Sequence, residues 1–288
     1  MSARFLFRDF ELASPFILKI VPPKFKAFQN AEVVSFSLAR SNDDFTEVLE
    51  LRKAAYGSVR KVPENISHES LADDVDENSY ILIGRHMGRI VATLRMTFKL
   101  ELNHSFELEK YICISEIKSL PEEMVEISRL CVHPDFKRTD LIYGLFRQII
   151  LIMLQARKRL ILGSATERMI PLYMKIGCRL TGQKYNHLFL GGEDHLVFLA
   201  DVFAVAKGRI VSPLIWNLLA YEIQEQILKY HPEIEKNSFC WQMHFNRLFY
   251  PATIVALEFK KWKYSRSLPK KFVAAEKPFT TSNKIPDT

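Results

Sequence analysis

Within a chain of 288 residues, the segment "EISRLCV" sets an acid, Glu126, three positions before an arginine, Arg129, in a run that otherwise reads as a buried strand. Regular strand alternation sends two side chains at an odd spacing to opposite faces. A bulge or strong local twist is needed to bring both into one cleft; without it, one of the two is simply solvent-exposed. Arg95, in "ATLRM", is a second arginine inside an apolar run. A buried charge needs a partner, so a pairing of Arg95 or Arg129 with Glu126 is expected. A carboxylate held among such partners at the opening of a sheet could orient or deprotonate an amine.

Asp73, Asp74 and Asp76 crowd one polar stretch. They read either as a cradle for the ammonium group of a small substrate or as loop residues that keep the chain soluble. Tyr173, in "PLYMKIG", is either a proton donor beside the cleft or a core residue of an amphipathic helix. His133 precedes Pro134 at a strand end, where ligands commonly bind in α/β sheets, yet no Ser or Cys stands at a catalytic spacing from it. The chain has no HExxH segment, Walker lysine motif or dinucleotide fingerprint, and no metal site is expected.

The elements that must position these residues follow from patterning. "AEVVSFSLAR" alternates as a first strand. Asp43 or Asp44 is expected to cap a helix over "FTEVLELRKAAYG" that ends at Gly57. The polar stretch "SVRKVPENISHESLADDVDENS" reads as a linker or as a loop over a site. "SYILIGR" and "IVATLRMTF", joined by a turn with Gly88, form a hairpin. After an irregular connector come a strand over Val125–Val132, a turn and a helix to about Arg157. "RLILGSA" is the next strand, "ERMIPLYMKIG" a short helix, and "CRLTG", "HLFLGG" and "HLVFLADVF" closing strands. That order predicts an α/β fold: a mixed sheet with helices on both faces. Residues 1–32, with two prolines in "VPPKF", read as an arm, residues 33–203 as the core, 204–259 as a helical extension and 260–288 as a basic tail.

Composition sets outer bounds. The chain is 48% hydrophobic and 25% charged, ordinary for a soluble globular protein. Its 21 phenylalanines fill a core or line a channel for a greasy ligand. The net charge of +7 is concentrated at one end: Lys260 to Thr288 holds eight Lys or Arg against Glu276 and Asp287. Such a tail could meet an acidic protein, an anionic membrane or solvent alone. No basic stripe interleaved with aromatics recurs in the body, which argues against nucleic-acid binding. Four cysteines, at 113, 131, 178 and 240, show no ligand spacing and read as thiols of a reducing compartment. Asp9 and Glu11 interrupt any signal peptide, and no apolar run is long enough to span a bilayer. The expected location is the cytoplasm, with peripheral contact at the inner membrane face as an extension of the same reading.

"VEISRLCVHPDFKRTDLIYGLFRQII" followed by "LILGSATERMIPLYMKIGCRLTG" resembles the acyl-coenzyme A N-acyltransferase superfamily, the Gcn5-related (GNAT) fold. The resemblance implies a central strand splayed from its neighbour, with the acyl donor lying in the V and its pyrophosphate on the following helix N-terminus. Leu130, Cys131 and Val132 would then flank the donor carbonyl, and Lys137, Arg138 and Thr139 the phosphate. The superfamily's turn is Arg/Gln-x-x-Gly-x-Gly/Ala; here "KRTDLI" keeps the basic residues and loses the glycines. Glycines let a backbone wrap a diphosphate, so a donor with one phosphodiester, carried on acyl carrier protein, is favoured over acyl-coenzyme A. "GRIVATLRM" and "EISRLCV" are similar to segments of the carrier-dependent branch, the bacterial acyl-homoserine-lactone synthases and long-chain N-acyl amino acid synthases. Through that resemblance Arg95, Glu126 and Arg129 inherit the branch's charged roles, Asp73, Asp74 and Asp76 its acidic loop and Tyr173 a weaker acid role.

The reading is an N-acyltransferase that moves a medium or long fatty acyl group from acyl-phosphopantetheine on acyl carrier protein to the amine of an amino acid or small amine. The chain's first 30 residues lack the tryptophan-containing pattern of the lactone synthases, which ranks that product second. A coenzyme A-dependent N-acetyltransferase and a non-catalytic acyl-binding or interaction module are the remaining alternatives.

Overall fold

The structure, a computed structural model, describes residues 10–13, 15–19, 33–99, 105–117, 123–232 and 240–266. Much of the expected arm, its "VPPKF" segment included, and the basic tail after Arg266 lie outside these residues.

Eight strands form one mixed sheet in the order β1-β2-β3-β4-β5-β6-β8-β7. These are β1 (Phe16–Ile17), β2 (Val33–Leu38), β3 (Ser79–His86), β4 (Arg89–Phe98), β5 (Met124–Val132), β6 (Leu160–Thr166), β7 (Cys178–His187) and β8 (Glu193–Asp201). Only β5 and β6 pair in parallel, through the crossover helix α2 (Leu141–Gln155). β3 and β4 are buried on both faces, and their sequences are accordingly near-continuous apolar runs. The two closing segments "CRLTG" and "HLFLGG" are not separate strands. They run together as β7 and a 3-10 turn over Leu188–Leu190, because Gly182, at φ 90°, marks an irregularity that strand pairing absorbs.

Helix α1 (Asn42–Gly57) covers one face of β4 and β5. Its cap is Ser41, two positions before Asp43, the nearer of the two expected aspartates. The Ser41 hydroxyl accepts from Asp44 N–H while Asp44 reaches back to the cap backbone. Farther along the same face, the connector 105–117 places Phe106 and Leu108 over Met124, Leu160 and Leu162.

Helix α2 lies on the opposite face. "LIYGLFRQIILIMLQ" is apolar nearly all round, and such a helix needs cover on both sides. The sheet supplies one cover. The second is residues 10–13 and 15–19 together with α4 (Val202–Ala206), α5 (Pro213–Leu219) and α6 (Gln224–Tyr230). The arm runs antiparallel to the helix: Gln155 accepts from Glu11 N–H and Gln148 from Ala13 N–H, each at 2.8 Å, and Asp140 from Lys19 N–H at 3.0 Å. Gly144 is the point of closest approach, since a Cβ there would stand 2.9 Å from the Phe16 ring. Residues expected as an irregular arm therefore contribute a strand and a strap to the core.

Short helix α3 (Ile170–Lys175) precedes β7. Two further helices, α7 (Cys240–Leu248) and α8 (Tyr250–Arg266), pack against α5. Pro232 follows α6 and Pro251 is the second residue of α8, where its missing N–H costs nothing. Cys113, Cys131 and Cys178 are free thiols.

Candidate active site

The pairing of β5 with β4 slips by one residue. Thr93 is opposite Cys131, whereas Arg95 is opposite Ser128, so Leu94 faces two residues of β5. Arg129 is one of those two and has φ 52°, a left-handed conformation that costs a non-glycine residue about 1–2 kcal/mol. The bulge resolves the odd spacing read in the sequence: Glu126 and Arg129 reach the same face of the sheet. Thr97 is paired with Glu126 and Arg95 with Ser128, so β4 contributes to that face as well.

What the two arginines bind differs from expectation. Neither is held by Glu126; both converge on Asp73 and Glu107. Arg129 donates to Asp73 Oδ2 at 2.7 Å and to Glu107 Oε1 at 2.6 Å. Arg95 donates to Asp73 Oδ1 at 2.5 Å, to Asp76 at 3.1 Å, to Ser128 Oγ at 2.9 Å and to Glu107 Oε2. Arg52 of α1 clamps Asp76 with two bonds of 2.7 and 2.8 Å. Three guanidiniums thus meet three carboxylates in a buried, charge-balanced cluster between the two apolar patches of this face.

Glu126 stands beside that cluster as a fourth acid. Both its oxygens accept from backbone: Glu107 N–H at 2.6 Å and Leu108 N–H at 3.1 Å. It is 2% exposed. Burial, and then the negative charge of Glu107, push its carboxyl up to about 8, and Arg95 and the two N–H donors only partly oppose them. Burial would raise Glu107 too, but the bond from His187 and the charges of Arg129 and Arg95 hold it at about 2. The two acids are driven apart, one a fixed anion and one able to exchange a proton near neutral pH.

Glu107 has no counterpart in the sequence reading, in which residues 101–124 are a connector. Its imidazole neighbour, His187, lies 3.5 Å away and packs with Tyr111, Tyr185 and His195 in an aromatic group at the β7–β8 edge.

The aspartates divide. Asp73 and Asp76 cap a 3-10 turn over Asp74–Asn78 and spend their oxygens on arginines and on that turn's N–H groups. Asp74 points away and pairs with Lys110 in solvent at 2.5 Å. The three do not form one cradle for an ammonium group.

β5 and β6 part after Ile127 and Gly163, the last paired residues, so the remaining turns of both strands open as a V. His133 donates its N–H to Val91 of β4. Because N–H direction alternates along a strand, the Val132 amide faces the opposite side, into the V. Leu130 and Val132 are partly buried there against the α2 face, and Cys131 is buried on the α1 face. An apolar cavity of about 20 Å³ lies below the same strands, lined by Ile127, Phe146, Ile150 and Ile161 among others. It has room for about one water molecule.

Tyr173 is a core residue. It stacks on Phe198 at 4.4 Å and meets Phe146 edge-on, burial pushes its hydroxyl pKa up, and it sits on the α2 face, away from Glu126. The turn before α2 has an irregular backbone, with Arg138 at φ 67°. Lys137 donates to Ser58 Oγ at 2.7 Å and Thr139 to Phe136 O at 2.7 Å, while Arg138 is exposed. The Asp140 carboxylate is buried and accepts from Lys19 N–H. Among the described residues no group of three His, Cys, Asp or Glu is arranged for a metal ion.

A family model described as N-acyl amino acid synthase FeeM matches residues 47–198, a little over half of the chain. No curated protein matches the sequence. Among solved structures the chain is similar to FeeM, an N-acyl amino acid synthase from uncultured soil microbes, with a TM-score of 0.51 at 10% identity, covering 60% of this chain and 93% of that one. TofI, solved with an inhibitor and MTA, gives a TM-score of 0.47 at 14% identity over 63% of this chain and 98% of that one. The ribosomal-protein-S18-alanine N-acetyltransferase of Escherichia coli gives 0.41 at 13% identity over 59% and 94%. At these identities the likeness to FeeM speaks to the fold.

Proposed function

The chain belongs to the family of the N-acyl amino acid synthase FeeM, an acyltransferase family with the Gcn5-related fold, and we propose that it moves a fatty acyl group from acyl carrier protein to the amine of an amino acid or small amine. The observation that carries the reading is Glu126, a buried carboxyl pushed up to about 8, placed one residue before the strands part. The acceptor enters as an ammonium ion and must lose one proton before it can attack. Glu126 takes that proton directly or through one water. The amine nitrogen bonds to the thioester carbonyl carbon, whose oxygen is polarised by the Val132 N–H facing the V. The C–S bond then breaks, the amine's second proton leaves and the pantetheine thiolate takes up a proton. Amide, thiol and one released proton balance the step.

Arg95 and Arg129 serve as the scaffold of this base rather than as its direct partners. By fixing Glu107 they fix the peptide whose N–H holds Glu126 Oε2. Asp73 and Asp76 belong to the same scaffold. Tyr173 is assigned to the core beside the V, because a hydroxyl with a raised pKa is a poor acid toward a thiolate.

Two features favour the carrier-protein donor. The turn before α2 keeps two exposed basic side chains, Arg138 and a Lys137 engaged by Ser58, but has no glycine at its tip, and Gly144 is used to seat Phe16 instead of wrapping a phosphate. An acidic carrier protein would also meet the positive net charge of +7. The cavity under the V is too small for an acyl chain, so Phe146 and its isoleucine neighbours must shift when one binds.

The test is to offer the pure protein matched long-chain acyl carrier protein and acyl-coenzyme A with a pool of amino acids and amines, reading amides by mass spectrometry. An amide from the carrier-protein donor, lost in Glu126→Gln, supports the proposal. Turnover with acetyl-coenzyme A alone would replace it with an ordinary acetyltransferase. A lactone product would move the chain to the signal synthases.

A further inference from the structure

Helix α8 carries two apolar stripes, and the fold covers only one. Thr253 and Leu257, at 3% and 4% exposure, face the body of the protein. Val255, Phe259 and Trp262 recur at helical spacing on roughly the opposite side, and they are 68%, 60% and 47% exposed. The Phe259 and Trp262 rings lie 5.5 Å apart, so the stripe presents a joined aromatic surface. At the end of α7 Leu248 is 75% exposed, and Phe249, which follows it, 38%. Solitary exposed apolar residues are unremarkable, whereas a run of large ones on one helical side marks a contact surface.

Charge indicates the partner. By helical spacing Lys263 borders the stripe on one side and Glu258 on the other, and residues 260–288 hold eight Lys or Arg against two acids. A bare apolar stripe with Trp and Phe, leading into a strongly basic segment, is the composition of a helix that lies in the plane of a membrane interface. None of the described helices is long and apolar enough to cross a membrane, so the contact would be with the surface. A second copy of the chain would set lysine against lysine. An acidic protein would satisfy the lysines and leave the stripe unaccounted for.

We propose that the outer face of α7 and α8 docks on an anionic phospholipid surface, burying Leu248, Phe249, Val255, Phe259 and Trp262 among the acyl chains while the lysines meet the headgroups. This surface is independent of the acyl-transfer chemistry, so either can fail alone. The full-length protein is sedimented with vesicles of phosphatidylcholine alone and with vesicles containing about a quarter phosphatidylglycerol. The proposal expects pelleting with the anionic vesicles, weakening in high salt, and little with the neutral ones. Val255→Glu/Phe259→Glu should lower partitioning about tenfold or more without changing the melting temperature; Val255→Ala/Phe259→Ala, which keeps the helix propensity, should give a smaller loss in the same direction. Wild-type protein that stays in the supernatant overturns the proposal. So does a double-Glu variant that pellets like wild type, since the basic tail would then act alone. A variant whose main effect is to dissociate a dimer, or to release acyl carrier protein, would assign the stripe to a protein partner and overturn it equally.

Discussion

Glu107 donates its backbone N–H to Glu126 at 2.6 Å and turns its own carboxylate to Arg129, also at 2.6 Å. One residue therefore both holds the proposed base and sets the charge against which that base ionises. The three arginines and three acids of the cluster already balance, so an ionised Glu126 adds a negative charge with no cation of its own. That, with burial, is the physical reason its pKa lies so high.

Acid-limb titration follows from this. As a base Glu126 works ionised, so kcat/KM should rise with pH and level off above about pH 8. One unit below its pKa about a tenth of the carboxyl is ionised. Glu107→Gln removes the repulsion that is the second cause of the high value, so the limb should move to lower pH while staying above the ordinary carboxylate range, because burial persists. Glu126→Gln should lower kcat by about 10²–10⁴-fold and abolish the limb. A pH–rate profile unaffected by Glu107→Gln would separate Glu107 from the base.

The same shift has a stability consequence. A carboxyl whose folded pKa exceeds its unfolded one binds more protons when folded. Its contribution is complete below the unfolded value of 4.5 and is lost as pH rises through about 8. The urea midpoint of the wild-type protein should fall on the alkaline side, and Glu126→Gln should flatten that fall. A midpoint with the same alkaline slope in both proteins would place the titrating group elsewhere.

Arg129 offers a test of strain against charge. Arg129→Ala leaves Asp73 and Glu107 short of a cation in a buried place and should cost about 3–5 kcal/mol. Arg129→Gly loses the same bonds but relieves a backbone at φ 52°, so it should be about 1 kcal/mol less damaging than alanine. Equilibrium urea unfolding of both variants gives the comparison. Glycine no better than alanine would mean the bulge relaxes once the guanidinium is gone.

How far the sequence showed this site depends on the element. Glu126, Arg129 and Arg95 stand in apolar strands, where a charge is conspicuous, and their odd spacing required the bulge found between Ser128 and Cys131. Glu107 was hidden because its segment has several acids and no periodicity, and its neighbour His187 lies 80 residues downstream on another strand. In sequence Asp73 and Asp76 are indistinguishable from Asp74, because three acids in a polar stretch have the pattern of a plain loop. In a 3-10 turn residues three apart share a side, which puts Asp73 and Asp76 together and sends Asp74 into solvent. The splay after Ile127 and Gly163 came from resemblance alone; no local pattern marks where two strands part.

Tyr173 separates resemblance from environment. Its ring fills the space between Phe146 and Phe198, and Tyr173→Phe keeps that packing. The variant should retain kcat within about threefold and fold with near-normal stability, whereas Tyr173→Ala should cost about 3–5 kcal/mol. Loss of kcat in the phenylalanine variant by more than tenfold would restore the hydroxyl to the chemistry.

Gly144 tests whether the lone glycine near the α2 N-terminus serves the donor or the fold. A Cβ at this position meets the Phe16 ring at 2.9 Å, so Gly144→Ala must displace the ring, and with it the strap held to Gln148 and Asp140. Overpacking of this kind costs about 1–3 kcal/mol. Phe16→Ala removes the obstacle, and the double variant should be more stable than the sum of the single losses predicts, because the alanine then occupies vacated space. The KM for acyl carrier protein should be the same in Gly144→Ala as in wild type at temperatures where both are folded. A raised KM with unchanged stability would return the glycine to phosphate binding and weaken the case for a carrier-bound donor.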